Sequence, residues 1–444
     1  MYPNLYYAID DWFGWKISAL KIFYSFGIFV ALAFIGAAYF LTLELKRKEK
    51  SGLLQPREET IIAGKPATFL ELLINGLVGF LFGYKLIGAF VASRTAGVDI
   101  QEFIFSYRGS WIGGFILAAI LVYFKYRDKE RQKLAQPEKR IIRVWPHDRV
   151  GDLIIFALIF GIIGAKLFDN LENWNRFIQN PVANLLSPSG LTFYGGLIFA
   201  AVAISIYAGK KGINLLHLTD AAAPALMIAY AIGRIGCQVA GDGDWGVYNS
   251  GYVSDAPGHV VPVRSPEDYQ FALRKYSTYF LNGTVEDSSG VISEVSDRHA
   301  QTLDKVPHRS FIGPKFLPTW LFAYTYPHNV NEDGILLPDC YGKYCRALPQ
   351  PVFPTPLYET LTCTLLFLFL WSLRRKIRAP GFMFSLYLLL NGIERFLVET
   401  IRVNTTYSIF GIHPTQAELI SAALVITGIL GMLYFKRKYQ ASLE

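Results

Sequence analysis

Residues 229–246, AYAIGRIGCQVAGDGDWG, place a guanidinium, a thiol and two carboxylates (Arg234, Cys237, Asp242 and Asp244) just beyond a long apolar run. A second apolar run holds NGIERFLVETIR, residues 391–402, with Glu394, Arg395, Glu399 and Arg402. An arginine at mid-bilayer costs about 2.5–3.5 kcal/mol on insertion scales, so such a residue faces a cavity, pairs with a charge or binds a ligand. Residues 395, 399 and 402 follow an i, i+4, i+7 spacing and share one helix face. Two readings stay open from spacing alone. One is a structural Arg395–Glu399 pair with Arg402 snorkelling to the interface. The other is an anion held by bidentate forks from Arg234 and Arg395.

The surrounding elements decide what anion is in reach. The chain has 444 residues, 52% hydrophobic and 18% charged, against about 25% charged in a soluble protein. Its apolar residues come in nine blocks, near 19–43, 68–92, 110–125, 152–170, 192–208, 218–240, 357–373, 381–400 and 415–435. About 20 apolar residues cross a bilayer. The expected fold is therefore an all-α polytopic membrane protein with about nine transmembrane helices. Lys and Arg crowd alternate loops, in ELKRKEKSG, KYRDKERQKLAQPEKRIIR, GKKG, RRKIR and the closing KRKY. The positive-inside rule then puts the N-terminus outside and the C-terminus inside. The net charge of +8 is mostly this inner belt, which suits an anionic leaflet; nothing suggests nucleic-acid binding. On this topology Arg234 and Arg395 both lie toward the outer ends of their helices. A lipid phosphate is the anion at that depth.

The rest of the chain divides around these blocks. Residues 1–17, MYPNLYYAIDDWFGWKI, lack the basic and apolar regions of a signal peptide and read as an outer interfacial segment. Residues 18–46 form the first span, 147–240 spans four to six, and 356–437 spans seven to nine. Residues 68–127 copy 152–210: ELLINGLVGFLFGYKL parallels DLIIFALIFGIIGAKL, and GSWIGGFILAAILVYFKYR parallels GLTFYGGLIFAAVAISIYAGK. The first copy has Ile112 where the second has Tyr194. Repeats also occur in transporters, so a lipid or anion transporter is the alternative from another class. Residues 241–355 form the longest loop, expected outside the membrane, with Cys340 and Cys345 in DCYGKYC. An oxidising compartment permits a disulfide between them. Two cysteines make half a zinc site, so no metal and no cofactor are expected. Cys237 and Cys363 read as small apolar residues within spans.

Five stretches in order carry a resemblance: GLTFYGGL (190–197), GRIGCQVAGDGDWG (233–246), PTPLYE (354–359), GIERFLVETIR (392–402) and HPTQAELIS (413–421). Together they resemble prolipoprotein diacylglyceryl transferase, over most of residues 147–437. The resemblance implies seven family-like spans plus the inserted duplicated pair, in a bacterial inner membrane. It implies transfer of the diacylglyceryl group of phosphatidylglycerol to the lipobox cysteine of a prolipoprotein, with a thioether formed and glycerol phosphate released. It places Arg234 and Arg395 on the phosphate, with Glu399 orienting Arg395 and Asp242 or Asp244 replacing a family glutamate. Arg402, Gly195, Gly196 and Tyr358 join the lipid-binding set. This sequence departs from the family at Tyr194, where a histidine is usual, at Cys237 for asparagine and at Phe26 for tyrosine. A tyrosine is a poor base at neutral pH and a good hydrogen-bond donor. Without the resemblance, Tyr194 reads as an interfacial aromatic and the two glycines as close-packing positions. A non-catalytic lipid-binding relative is the remaining alternative.

Overall fold

The computed structural model describes residues 1–93, 103, 106–187, 190, 192–256, 258–286, 292–296, 300–338, 340, 343–402 and 414–442. Leu191 and His413 of the resemblance motifs lie outside the described residues. The long elements are helices because apolar runs in lipid must satisfy their backbone internally. In chain order they are α1 (Leu5–Phe13), α2 (Ser25–Lys50), α3 (Phe69–Ala92), α4 (Trp111–Gln132), α5 (Val150–Glu172), α6 (Phe193–Lys211), α7 (Leu215–Ala240), α8 (Thr355–Leu373), α9 (Phe382–Glu399) and α10 (Gln416–Ala441). Local chemistry sets their ends. Capping boxes start α3 at Thr68 with Glu71, and α10 at Thr415 with Glu418. Gly212, left-handed at φ 69°, stops α6.

Among the described residues seven helices are long and apolar enough to cross a membrane: α2, α3, α5 with its leading turn, α6, α7, α8 and α10. The chain is thus a multi-pass membrane protein. The nine expected blocks all fold as helices, but α4 and α9 fall outside that set for different reasons. The apolar part of α4 ends before Lys125, and α9 carries Glu394, Arg395 and Glu399.

The chain forms two compact units. One comprises Ile9–Ile22 and Phe40–Leu218. In it α3 packs on α4 and α5 on α6 through glycines. A methyl on Gly79 would sit 2.8 Å from the Ala118 Cα, and one on Gly195 would sit 2.5 Å from the Gly164 carbonyl oxygen. The two pairs share a further detail. Lys85 donates to the Arg108 carbonyl at 2.9 Å, and Lys166 to the Gly190 carbonyl at 3.4 Å, each just before the second helix of its pair. Strand β1 (Arg57–Ala63) precedes α3 and strand β2 (Glu138–Val144) follows α4. They pair antiparallel from Arg57 opposite Val144 to Ala63 opposite Glu138. The first helix pair is therefore bracketed by a ribbon. Glu59 on that ribbon meets Arg149 at 2.5 Å and Lys211 at 3.2 Å.

The other unit comprises Met1–Ala8, Phe23–Tyr39 and Thr219–Glu444. Helices α9 and α10 pack closely here. A methyl on Gly392 would lie 2.9 Å from the Ser421 carbonyl oxygen. Between α7 and α8 the chain builds short strand pairs: 248–249 with 308–309, 252–256 with 259–262, 284–286 with 292–294, and 335–336 with 346–347. The all-α expectation omitted these pairs. Their cores are aromatic. Tyr269, Leu273, Tyr279, Phe280 and Val306 form one cluster, and Trp245, Tyr326, Leu348 and Val352 another. The Tyr279 hydroxyl donates to Asp333 at 2.7 Å inside the region. A disulfide joins Cys340 to Cys345, with Cα atoms 5.5 Å apart. Trp12 and Trp15, in the Ile9–Ile22 stretch that belongs with Phe40–Leu218, are 62% and 61% exposed.

Candidate active site

The site assembles where α7 ends, α8 begins and α9 ends. Glu359, on the second turn of α8, is its centre and its side chain is wholly buried. Arg234 of α7 reaches it through Nε at 2.9 Å. Arg395 of α9 approaches it at 3.4 Å and Arg402 at 3.7 Å. The Tyr230 hydroxyl, one helical turn before Arg234, donates to Glu359 at 3.0 Å. The Tyr230 ring also lies under the Arg234 guanidinium, 5.3 Å from centroid to Cζ. One carboxylate thus gathers three guanidiniums from separate elements.

Two more carboxylates complete the network. Glu399 takes the other side of Arg395 at 2.9 Å and accepts from the Thr415 hydroxyl at 2.8 Å. Asp244 bridges Arg234 and Arg402. The Thr355 hydroxyl donates to the Asp244 carbonyl at 2.6 Å and pins its backbone to the start of α8. Burial opposes ionisation of Asp244, but Arg234 and Arg402 outweigh it and bring its carboxyl to about 2. Asp242 behaves in the opposite way. Burial first, and the neighbouring Asp244 second, raise its carboxyl above the ordinary range. It lies against Cys237, which is itself 3.7 Å from Arg234. Gly241 and Gly243 take left-handed φ values of 66° and 91° around Asp242. That turn sends Asp244 to the arginines and leaves Asp242 beside the thiol.

Gly246 closes the turn. Its N–H donates to the Phe353 carbonyl at 2.9 Å, and Val247 donates to the Ile401 carbonyl at 2.8 Å. A methyl on Gly246 would stand 2.6 Å from that same Ile401 oxygen. Only glycine lets the turn approach the chain that delivers Arg402.

Sequence reasoning named Arg234, Asp244, Arg395, Glu399 and Arg402, and the structure brings all five together. It missed Glu359 as their hub, although PTPLYE contains it. Tyr358 turns elsewhere and donates to the Leu321 carbonyl at 2.7 Å. Phe26 lies against Gly236, 3.5 Å from where a methyl would stand. Tyr194, Gly195 and Gly196 belong to the first-described unit, at the start of α6. There Gly196 faces the Gly161 carbonyl and the Tyr194 ring packs edge-on against Phe193. The ligand atoms of Cys237, Asp242 and Asp244 lie within 4.8 Å of one another. Two guanidiniums already hold Asp244, and their charge opposes a further cation there.

Three partly buried arginines, matched by the buried Glu359 and Glu399 and by Asp244, form a network suited to an anionic headgroup. Comparison with known proteins agrees with this chemistry. A family model described as prolipoprotein diacylglyceryl transferase matches residues 110–434, starting earlier than the motif resemblance. A phosphatidylglycerol–prolipoprotein diacylglyceryl transferase of Shouchella clausii is 25% identical over 325 residues, covering 73% of this chain and 85% of that protein. The enzyme of that name from Staphylococcus haemolyticus is 25% identical over 335 residues, covering 75% and 86%. The one from Dehalococcoides mccartyi is 34% identical over 118 residues, covering 26% and 45%.

Proposed function

The chain belongs to the prolipoprotein diacylglyceryl transferase family, and from that premise we propose that it moves the diacylglyceryl group of phosphatidylglycerol onto the lipobox cysteine thiol of a prolipoprotein. It is a transferase of lipoprotein biosynthesis. The carbon–oxygen bond between the glyceryl carbon and the phosphate breaks and a carbon–sulfur bond forms. The thiol's proton leaves with a base, and glycerol phosphate departs. The observation that carries this reading is the Arg234–Arg395–Arg402 cluster held by Glu359, Asp244 and Glu399.

Each residue has a task in this reaction. The leaving phosphate gains charge as the bond breaks, so guanidiniums placed there stabilise the transition state more than the ground state. A guanidinium has five N–H donors, and Arg234 meets its carboxylates through Nε and Nη1. Its fork keeps donors for the phosphate while Glu359 fixes its plane. The nucleophile is the substrate's own thiol, with an ordinary pKa of about 8.5, so a modest base suffices. Tyr194, in the position of a family histidine, donates a hydrogen bond in this scheme rather than abstracting the proton. The chain crosses a bacterial inner membrane nine times, with its N-terminus and residues 241–355 outside and its C-terminus in the cytoplasm. The signal peptide of the prolipoprotein enters laterally from the bilayer.

A transporter reading would use the same arginines but needs broken helices in both halves; the GDGDWG turn follows the end of α7 and breaks no described span. The deciding experiment is purified protein with phosphatidylglycerol vesicles and a lipobox peptide. A diacylglyceryl thioether on the peptide is the expected product. Lipid movement between leaflets without a thioether would favour the transporter.

A further inference from the structure

The arginines of α7 and α9 meet at one depth, and something must hold the two helices in register along their length. The carboxylate of Asp220, near the start of α7, accepts from the Gly381 N–H at 2.8 Å and the Phe384 N–H at 2.9 Å. These are donors at the first turn of α9, which have no partner within their own helix. A carboxylate there also complements the positive end of the helix dipole. Asp220 is buried, 5% exposed. Gly381 adopts φ 87°, and a methyl on it would stand 2.8 Å from the Phe435 ring, so the cap is shaped for glycine. Arg234 follows Asp220 by 14 positions, and Arg395 follows Gly381 by 14 positions. At 1.5 Å per residue both arginines lie about 21 Å along from the tie. Pro224 interrupts the ladder of α7 without ending that helix.

We propose that Asp220 is a positioning residue for catalysis: it locks α9 to α7 end to end, so that Arg234 and Arg395 reach Glu359 at the same level. The proposal rests on the reading that these arginines act on the lipid phosphate. Asp220 touches no reacting atom. It acts through helix register, and a shift of α9 by a fraction of a turn would carry Arg395 away from Glu359 while leaving each helix intact.

The test pairs kinetics with a distance. Asp220→Ala, Asp220→Asn and the wild type are assayed for thioether formation per folded molecule. In parallel, spin labels are attached at Leu226→Cys on α7 and Leu397→Cys on α9, both exposed, while the buried Cys237 and Cys363 stay unlabelled. For Asp220→Ala kcat should fall about 10–100-fold, as for a small misplacement of reacting groups, with KM for the peptide little changed. The inter-label distance should shift or broaden. Asp220→Asn, which keeps one acceptor oxygen at the same size, should lie between the two in both readouts. Wild-type kcat and an unchanged distance in Asp220→Ala would overturn the proposal. If Asp220→Ala does not fold, Asp220→Asn decides, and an unchanged kcat with an unchanged distance overturns it. If the wild type forms no thioether, the functional reading fails, while the distances still decide whether Asp220 sets the register.

Discussion

Arg234, Arg395 and Arg402 are charge-matched before any lipid arrives, and this frames what each substitution should do. On the proposed reading Arg234→Ala and Arg395→Ala remove donors to developing phosphate charge, so turnover should fall about 10²–10³-fold. Arg→Lys at either position should fail similarly, because an ammonium cannot reproduce a planar fork. Tyr194→Phe loses one hydroxyl and should cost about 0.5–1.5 kcal/mol, roughly tenfold; a dead Tyr194→Phe that still folds would make Tyr194 the base. Thioether formation at equal membrane level measures all of these. Glu359 is a different case. Glu359→Ala leaves three guanidiniums without their shared partner, and removal of one member of a buried ion-pair set costs about 3–5 kcal/mol. Glu359→Gln, which can still accept from Tyr230, should unfold at an intermediate temperature. A Tm for Glu359→Ala equal to wild type would refute its role as hub. Asp244 predicts a pH signature. Its carboxyl lies at about 2 in the fold against an ordinary 3.8. Its stabilisation is complete above the higher value and fades as pH falls through the lower one. The Tm gap between wild type and Asp244→Asn should be flat from pH 5 to 8 and should close below about pH 4; a gap that already closes near pH 6 would contradict the pairing. The arginines were legible in the sequence because charges within apolar runs stand out. Glu359 was not, since a carboxylate near the start of a span looks interfacial until three other segments converge on it. Asp242 and Asp244 could not be separated, because the left-handed Gly241 and Gly243 decide which of them turns inward.

The helices follow from hydropathy with few surprises, and the repeat in sequence is a repeat in packing, glycine against glycine in both pairs. Crossing number was harder to read. The charges that α9 carries also lower its hydropathy, and α4 is apolar for only part of its length. The strand pairs of residues 241–355 left no alternation to detect, since they run from two to five residues. Their order comes instead from aromatic clusters and from the Asn249 and Asn329 side chains, which bond backbone groups across the loop. The Cys340–Cys345 bond links cysteines five positions apart. Chain entropy assigns such a loop about 2 kcal/mol of stabilisation. A Cys340→Ser/Cys345→Ser variant should therefore melt a few degrees lower and keep its kcat. Loss of kcat in a protein that still folds would show that the turn takes part in substrate handling.

The ribbon of β1 and β2 bears on the chain as a whole. It brings Ala63 and Glu138 opposite each other, so the helix pair between them begins and ends at one place. Excising residues 64–137 and joining Ala63 to Glu138 through an Asn-Gly turn, the preferred two-residue hairpin loop, keeps the ribbon and the Glu59 contacts to Arg149 and Lys211. The shortened protein should form thioether within about tenfold of the full chain, the tolerance expected where an insertion's ends meet. A folded but inactive product would show that α3 and α4 serve the reaction directly. If it is active, the ribbon also explains how a second copy of a helix pair could be inherited at all. A duplication whose ends are hydrogen-bonded to each other displaces nothing on either side, so the first bearer of it would have kept a working enzyme. Ile112 can then stand where the second copy has Tyr194 without cost to the reaction.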